Sequence, residues 1–188
     1  MYSFFRTAIG QDSHRFGGVD ESTTSDGADG AARRERVGPS EPVRRRLVLG
    51  GVAFEGEHTL MGNSDADVVL HALCNAISGV TGVNIIGAVT DRMCLDEGVT
   101  DSAEYVKEAL KYLASGKITH VSFSIECARP AISPKIPEMR ARIAHILGVD
   151  IGGVCVTATS GEGLTDFGRG LGIQAFCVIT VGYPGEPQ

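Results

Sequence analysis

Asp12 and His14 stand two residues apart, a spacing that sends both side chains to one face of an extended segment. His71 follows in Asp67-Val68-Val69-Leu70-His71-Ala72-Leu73, which reads as a helix. One carboxylate and two imidazoles can hold zinc through three protein ligands and leave a fourth position open for a substrate. Such a site suits a working metal rather than a structural one. A second chemical feature is the glycine-rich connection from Ser160 to Gly172, where successive backbone N–H groups can form an anion-binding concavity. Glu162 within it could hold a divalent cation. No G-x-x-x-x-G-K-[ST] occurs, so this is not a P-loop. Asp12-Ser13-His14 alone is a common pattern, and His58, His120 and His145 lack comparable company.

The elements that must position these residues follow from hydrophobic pattern. Residues 4–16 read as a strand and its exit, with Gly10 allowing a bend. Leu47 to Phe54 read as a strand pair or one bent strand around Gly50 and Gly51. Ser64-Asp65-Ala66-Asp67 has the form of a capping box with Ser64 as N-cap. The helix it opens runs to about Val80, with Val69, Leu73, Ala76 and Val80 on one stripe and Asp67, His71 and Asn75 on another line. A second helix starts at Asp101-Ser102, carrying Val106, Ala109, Leu110 and Leu113 inward, and a third spans Ile136 to Leu147. Val121, Phe123 and Ile125 alternate with polar residues as a half-buried strand, and two more strands, 154–159 and 173–181, close the chain. The order predicts an α/β sandwich, one layer of helices on a mixed sheet.

Composition narrows the class. With 188 residues, the chain suffices for one domain with a real core. A formal charge of −6 argues against a nucleic-acid partner, since phosphate backbones recruit basic surfaces. Phosphorylated small molecules need only local donors and stay open. No apolar run is long enough for a membrane span, and the first residues lead straight into the candidate metal segment without room for a leader. A cytoplasmic protein is expected. The five cysteines form no C-x-x-C pair; those in Val154-Cys155-Val156 and Phe176-Cys177-Val178 read as buried small hydrophobes. From Val19 to Arg46 apolar residues nearly vanish and arginines balance acids, so a mobile, solvated insertion is expected within the single domain 1–188.

Taken together and in order, several motifs are far more specific than any one. They are Asp12-Ser13-His14-Arg15-Phe16-Gly17, Leu49-Gly50-Gly51-Val52, Ser64 through Leu73, Asp101-Ser102, Ile136-Pro137-Glu138-Met139-Arg140, and Thr157-Ala158-Thr159 followed by Glu162 and Gly168-Arg169-Gly170. On these motifs the chain resembles the 2-C-methyl-D-erythritol 2,4-cyclodiphosphate synthases, over nearly its whole length except the insertion at 19–46. The resemblance implies a homotrimer with active sites between subunits. It implies zinc, or another divalent metal, on Asp12, His14 and His71, and Mg²⁺ or Mn²⁺ on Glu162 between the α- and β-phosphates of a cytidine diphosphate substrate. The implied reaction is attack of a 2-phosphate on the β-phosphorus with loss of CMP, which needs charge neutralisation and in-line placement more than a base.

The same resemblance assigns substrate contacts to Asp12, Ser13, His14, Asn63, Ser64, Ile85, Ile86, Gly87, Arg129, Pro130, Thr159, Ser160, Gly161, Glu162 and Arg169, with Asn63 and Ser160 in the catalytic positions. Some positions depart from the family pattern. Asn63 stands where the family usually has a histidine; it can donate a neutral hydrogen bond but carries no positive charge. Ser160 replaces a threonine and keeps the hydroxyl. The usual Asp-Ile-Gly reads Ile85-Ile86-Gly87, the following loop is rewritten around Thr90-Asp91-Arg92-Met93, and the usual Ala-Pro-Lys reads Arg129-Pro130-Ala131. Leu171 replaces the usual Glu neighbour of Arg169. A divergent active synthase is the expectation. Its rivals are a non-catalytic, zinc-stabilised trimeric binding or scaffold protein and a metal-dependent cyclase or phosphodiesterase acting on a related nucleotide diphosphate.

Overall fold

A computed structural model describes residues 2–17 and 46–185. Almost all of the insertion expected at 19–46 lies outside the described residues. Strands β1 (Phe4–Arg15), β4 (Lys117–Glu126), β5 (Val154–Thr159) and β6 (Gly172–Tyr183) form one sheet in the order β1-β6-β4-β5. β6 is antiparallel to both neighbours, and β4 and β5 run parallel, so the sheet is mixed as expected. Strands β2 (Leu47–Leu49) and β3 (Val52–Phe54) form a separate hairpin. Gly50 and Gly51 turn it with φ of 62° and 73°, the left-handed pair that a two-residue hairpin loop requires.

Helices α1 (Val68–Thr81), α2 (Ala88–Leu95), α3 (Ser102–Leu110) and α4 (Ile136–Leu147) complete the fold. α1 is buried nearly all round because it lies between the sheet and α3. Its approach to β1 is unusually close. A Cβ at Gly10 would overlap Ala72 O and Ala76 N, and one at Gly79 would come 2.9 Å from Ala8 Cβ. Gly10 therefore serves the helix crossing and not a bend: β1 runs unbroken through it.

Three other expectations are corrected. The N-cap of α1 is Asp67, not Ser64: Ala66 takes φ 55°, so the chain enters the helix only after it. Ser64 Oγ instead accepts a bond from Ala66 N at 3.2 Å, closing a local turn. α2 was not legible, since only Thr90 of its eight residues is buried. Cys155 is exposed, because alternation along edge strand β5 puts Val154 and Val156 on the core side and Cys155 on the other.

Among the described residues the helices cover one face of the sheet only. On β6, Ile173, Ala175, Cys177, Ile179 and Val181 are buried beneath them. On the opposite face Phe5, Ile9 and Val178 stay 57%, 62% and 38% exposed. These three apolar side chains stand there among polar ones such as Thr7, Gln11 and Thr180.

Candidate active site

The close crossing of α1 over β1 brings the opening three residues together. His71 Nδ1 lies 3.0 Å from Asp12 Oδ2, His14 Nε2 lies 3.1 Å from the same oxygen, and the two ring nitrogens are 3.3 Å apart. Three donors about 2.0 Å from a zinc ion stand about 3.3 Å from one another at the face of a tetrahedron, so this triangle fits the metal in size and in donor type. Burial would push the Asp12 carboxyl up, but hydrogen bonds and charge from His14 and His71 outweigh it and hold the carboxyl down at about 2. Asp12 is therefore a ready anionic ligand. His71 is buried while Asp12 and His14 are half-buried, which leaves one side of the triangle facing out.

That side opens into a cavity of about 680 Å³. Gly62, Asn63 and Ser64 form one wall; Ile86, Gly87, Thr90 and Asp91 form another. The two walls are tied where Cys94 Sγ donates to Asn63 O at 3.4 Å. Ile85, expected among the substrate contacts, is fully buried in the core and does not line the cavity, because Ile86 and Gly87 turn toward it instead. Ser13 points to the opposite face of β1, opposite Gln174.

The other expected residues gather elsewhere. Asp12, Ala175, Ile125 and Ala158 stand in register across the sheet, so β5 lies three strand spacings, about 14 Å, from β1. Thr159, Ser160, Gly161, Glu162 and Arg169 sit at or beyond the end of β5 and do not line the cavity. The loop is internally braced: Gly161 N donates to Thr159 Oγ1 at 3.2 Å, Glu162 N to Ser160 Oγ at 3.4 Å, and Thr165 Oγ1 to the Glu126 carboxylate. Arg169 pairs with Asp166 at 2.5 Å. Glu162 is exposed and held at φ 49°, ψ 28°, a left-handed conformation uncommon for a non-glycine residue. Arg129 is exposed with its guanidinium 5.4 Å from the centre of the Phe16 ring, and Pro130 is buried beside it.

Residues 5–182 match the YgbB family. The chain belongs to that family. Among curated relatives, the 2-C-methyl-D-erythritol 2,4-cyclodiphosphate synthase of Chlamydia caviae is 44% identical over 94% of this chain and 89% of its own length. The same fold recurs in solved structures. The bifunctional IspDF of Campylobacter jejuni superposes with a TM-score of 0.76 at 24% identity, over 96% of this chain and 43% of that larger one. Plasmodium falciparum IspF in its CDP complex superposes with a TM-score of 0.70 at 22% identity, over 98% of this chain and 100% of that one.

Two residues of this family member escaped the sequence reading. Behind His71, Ser102 Oγ lies 2.9 Å from Nε2, and the same hydroxyl bonds the Asp65 carboxylate. Ser102 and Asp65 looked like helix-start residues, and a serine inside a helix N-terminus carries no signal for a distant imidazole.

Proposed function

We propose that this chain is a 2-C-methyl-D-erythritol 2,4-cyclodiphosphate synthase acting on 4-diphosphocytidyl-2-C-methyl-D-erythritol 2-phosphate. The Asp12–His14–His71 triangle facing an open cavity carries the reading, together with the name its 44% identical relative bears. In the reaction an oxygen of the 2-phosphate bonds to the β-phosphorus. The bond from that phosphorus to the bridging oxygen breaks, and CMP leaves with the electron pair. Zinc on the triangle and Mg²⁺ or Mn²⁺ on Glu162, when bound, supply positive charge to the diphosphate oxygens. The chain itself must hold the phosphates in line and exclude competing water. Asn63, on the cavity wall, offers an amide donor to the phosphates, and Ser160 offers its hydroxyl beside Glu162. The walls around Ile86 and Gly87 take the sugar, and Arg129 takes the nucleotide side.

Both halves of this machinery must reach one diphosphate, yet in one chain they stand about 14 Å apart across the sheet. A homotrimer that sets the β5 loop of one subunit against the cavity of the next would close that gap, and the exposed Phe5, Ile9 and Val178 offer part of the packing surface. A cytoplasmic location suits the five free cysteines.

The test is CMP release from the named substrate by zinc-loaded protein with Mg²⁺ or Mn²⁺. Glu162→Ala should keep its zinc and lose at least about a hundredfold in kcat, the scale of removing a charge-stabilising group; His71→Ala should lose the zinc. A wild-type protein that binds cytidine nucleotides but never releases CMP would make it a binding protein instead.

A further inference from the structure

We propose that Ser102 and Asp65 are positioning residues that fix which nitrogen His71 offers to the metal, so that metal affinity depends on both. The inference rests on the metal reading above. His71 Nδ1 faces Asp12 and His14, which leaves Nε2 aimed back into the protein at the start of α3. There it meets Ser102 Oγ at 2.9 Å, with Ser64 Oγ farther off at 3.5 Å. Ser102 is completely buried.

A serine hydroxyl has a single proton, and the neighbouring groups decide where it goes. The three hydrogen bonds at the Asp65 carboxylate are all accepted: Ser102 N at 3.1 Å on one oxygen, and Asp67 N at 3.1 Å with the Ser102 hydroxyl on the other. An ionised carboxylate can only accept, so Ser102 spends its proton on Asp65. Its lone pairs then face His71, and Nε2 must carry a proton to bond them. With the proton on Nε2, Nδ1 keeps its lone pair for the cation. The carboxylate thus orients the ring and fixes its tautomer through one intervening hydroxyl.

Helix capping does not account for the serine side chain. The N-cap of α3 is Asp101, whose carboxylate accepts from Ala103 N at 2.8 Å, and the Ser102 hydroxyl points away from the helix toward His71. The arrangement joins three pieces of chain, since Asp65 precedes α1, His71 lies on it, and Ser102 opens α3.

The test uses full-length, zinc-loaded protein. Nitrogen-15 NMR of the wild type should find the His71 ring proton on Nε2, protected from exchange by its bond to Ser102. Competition with a chromophoric chelator should show zinc binding weakened about 10- to 100-fold in Ser102→Ala. Far-ultraviolet circular dichroism of metal-free Ser102→Ala should match wild type, showing that the variant folds. Asp65→Asn should weaken zinc as well, since either amide orientation sets an NH₂ against the N–H of Ser102 or of Asp67. Zinc affinity within twofold of wild type in Ser102→Ala would overturn the inference. So would a ring proton on Nδ1 in the wild type, an arm that needs no variant to fold. A wild type that takes up no zinc overturns the metal reading along with it, and is recognised because the unaltered protein fails.

Discussion

At the scale of single residues, Asp12 joins the chemistry of the site to the stability of the fold. Its carboxyl is held at about 2 against an ordinary 3.8. Between those values the unfolded chain binds more protons than the folded one, so stability rises with pH across that window. The contribution is complete above about pH 4 and is lost as the pH falls through about 2. In metal-free protein Asp12→Asn should flatten the acid limb of a stability–pH curve by about 2 kcal/mol, from the shift at 1.4 kcal/mol per unit. An unchanged acid limb in chemical denaturation would mean that the two histidines do not hold the carboxylate. Asp12, His14 and His71 were legible because strand and helix periodicities state where side chains point. Ser102 and Asp65 were not, because they meet only in the folded chain, with Ser102 lying 31 residues from His71 and 37 from Asp65. Ile85 misled for a related reason: motif position says which residues stand near a cavity, but burial decides which side chain enters it.

At the scale of elements, the decisive contact is α1 lying directly on β1. Asp67 fixes the start of that helix. Its carboxylate accepts from Val69 N and Leu70 N at 3.1 Å each and from the hairpin amides Gly50 N and Gly51 N at 2.8 and 2.6 Å. Gly10 fixes the depth. Gly10→Val would set a branched side chain against helix backbone that has no room to yield, at a cost of about 3 kcal/mol or more. The denaturation midpoint should fall accordingly, and zinc affinity should fall with it because His71 would be lifted off Asp12 and His14. A variant with lowered stability but unaltered zinc affinity would show that helix depth does not set the site. The helices with apolar stripes, α1, α3 and α4, could be read from the chain to within three residues at each end. The N-cap of α1 was misplaced because serine and aspartate both cap well and only the left-handed turn at Ala66 decides between them. α2 packs too little of itself to leave a pattern.

For the whole molecule, the sheet face that none of the described helices covers is the strongest statement about assembly. Ile9 and Val178 are cross-strand partners on that face, midway along the pairing of β1 with β6. In the proposed trimer a carboxylate there would be buried without a partner, which strongly disfavours association. Val178→Asp should sediment as a monomer with wild-type far-ultraviolet circular dichroism and should lose CMP release. Persistence of the trimer would place the interface elsewhere. Neither the open face nor the distance between Glu162 and the cavity could be read from one sequence, since both depend on sheet order.

Among the described residues, strand β1 lies at the edge of its sheet, bonded to β6 on one side only. Edge strands can slide, and a slip of one residue reverses every side chain. Slipped, β1 would turn Asp12 and His14 away from His71 and press Ile9 or Gln11 against α1. A cation shared by all three can bind only the chain that has chosen the native alignment, and mass action then favours that alignment further. The metal would therefore proofread the pairing of β1, certifying an alignment that its one sheet neighbour leaves open to slippage.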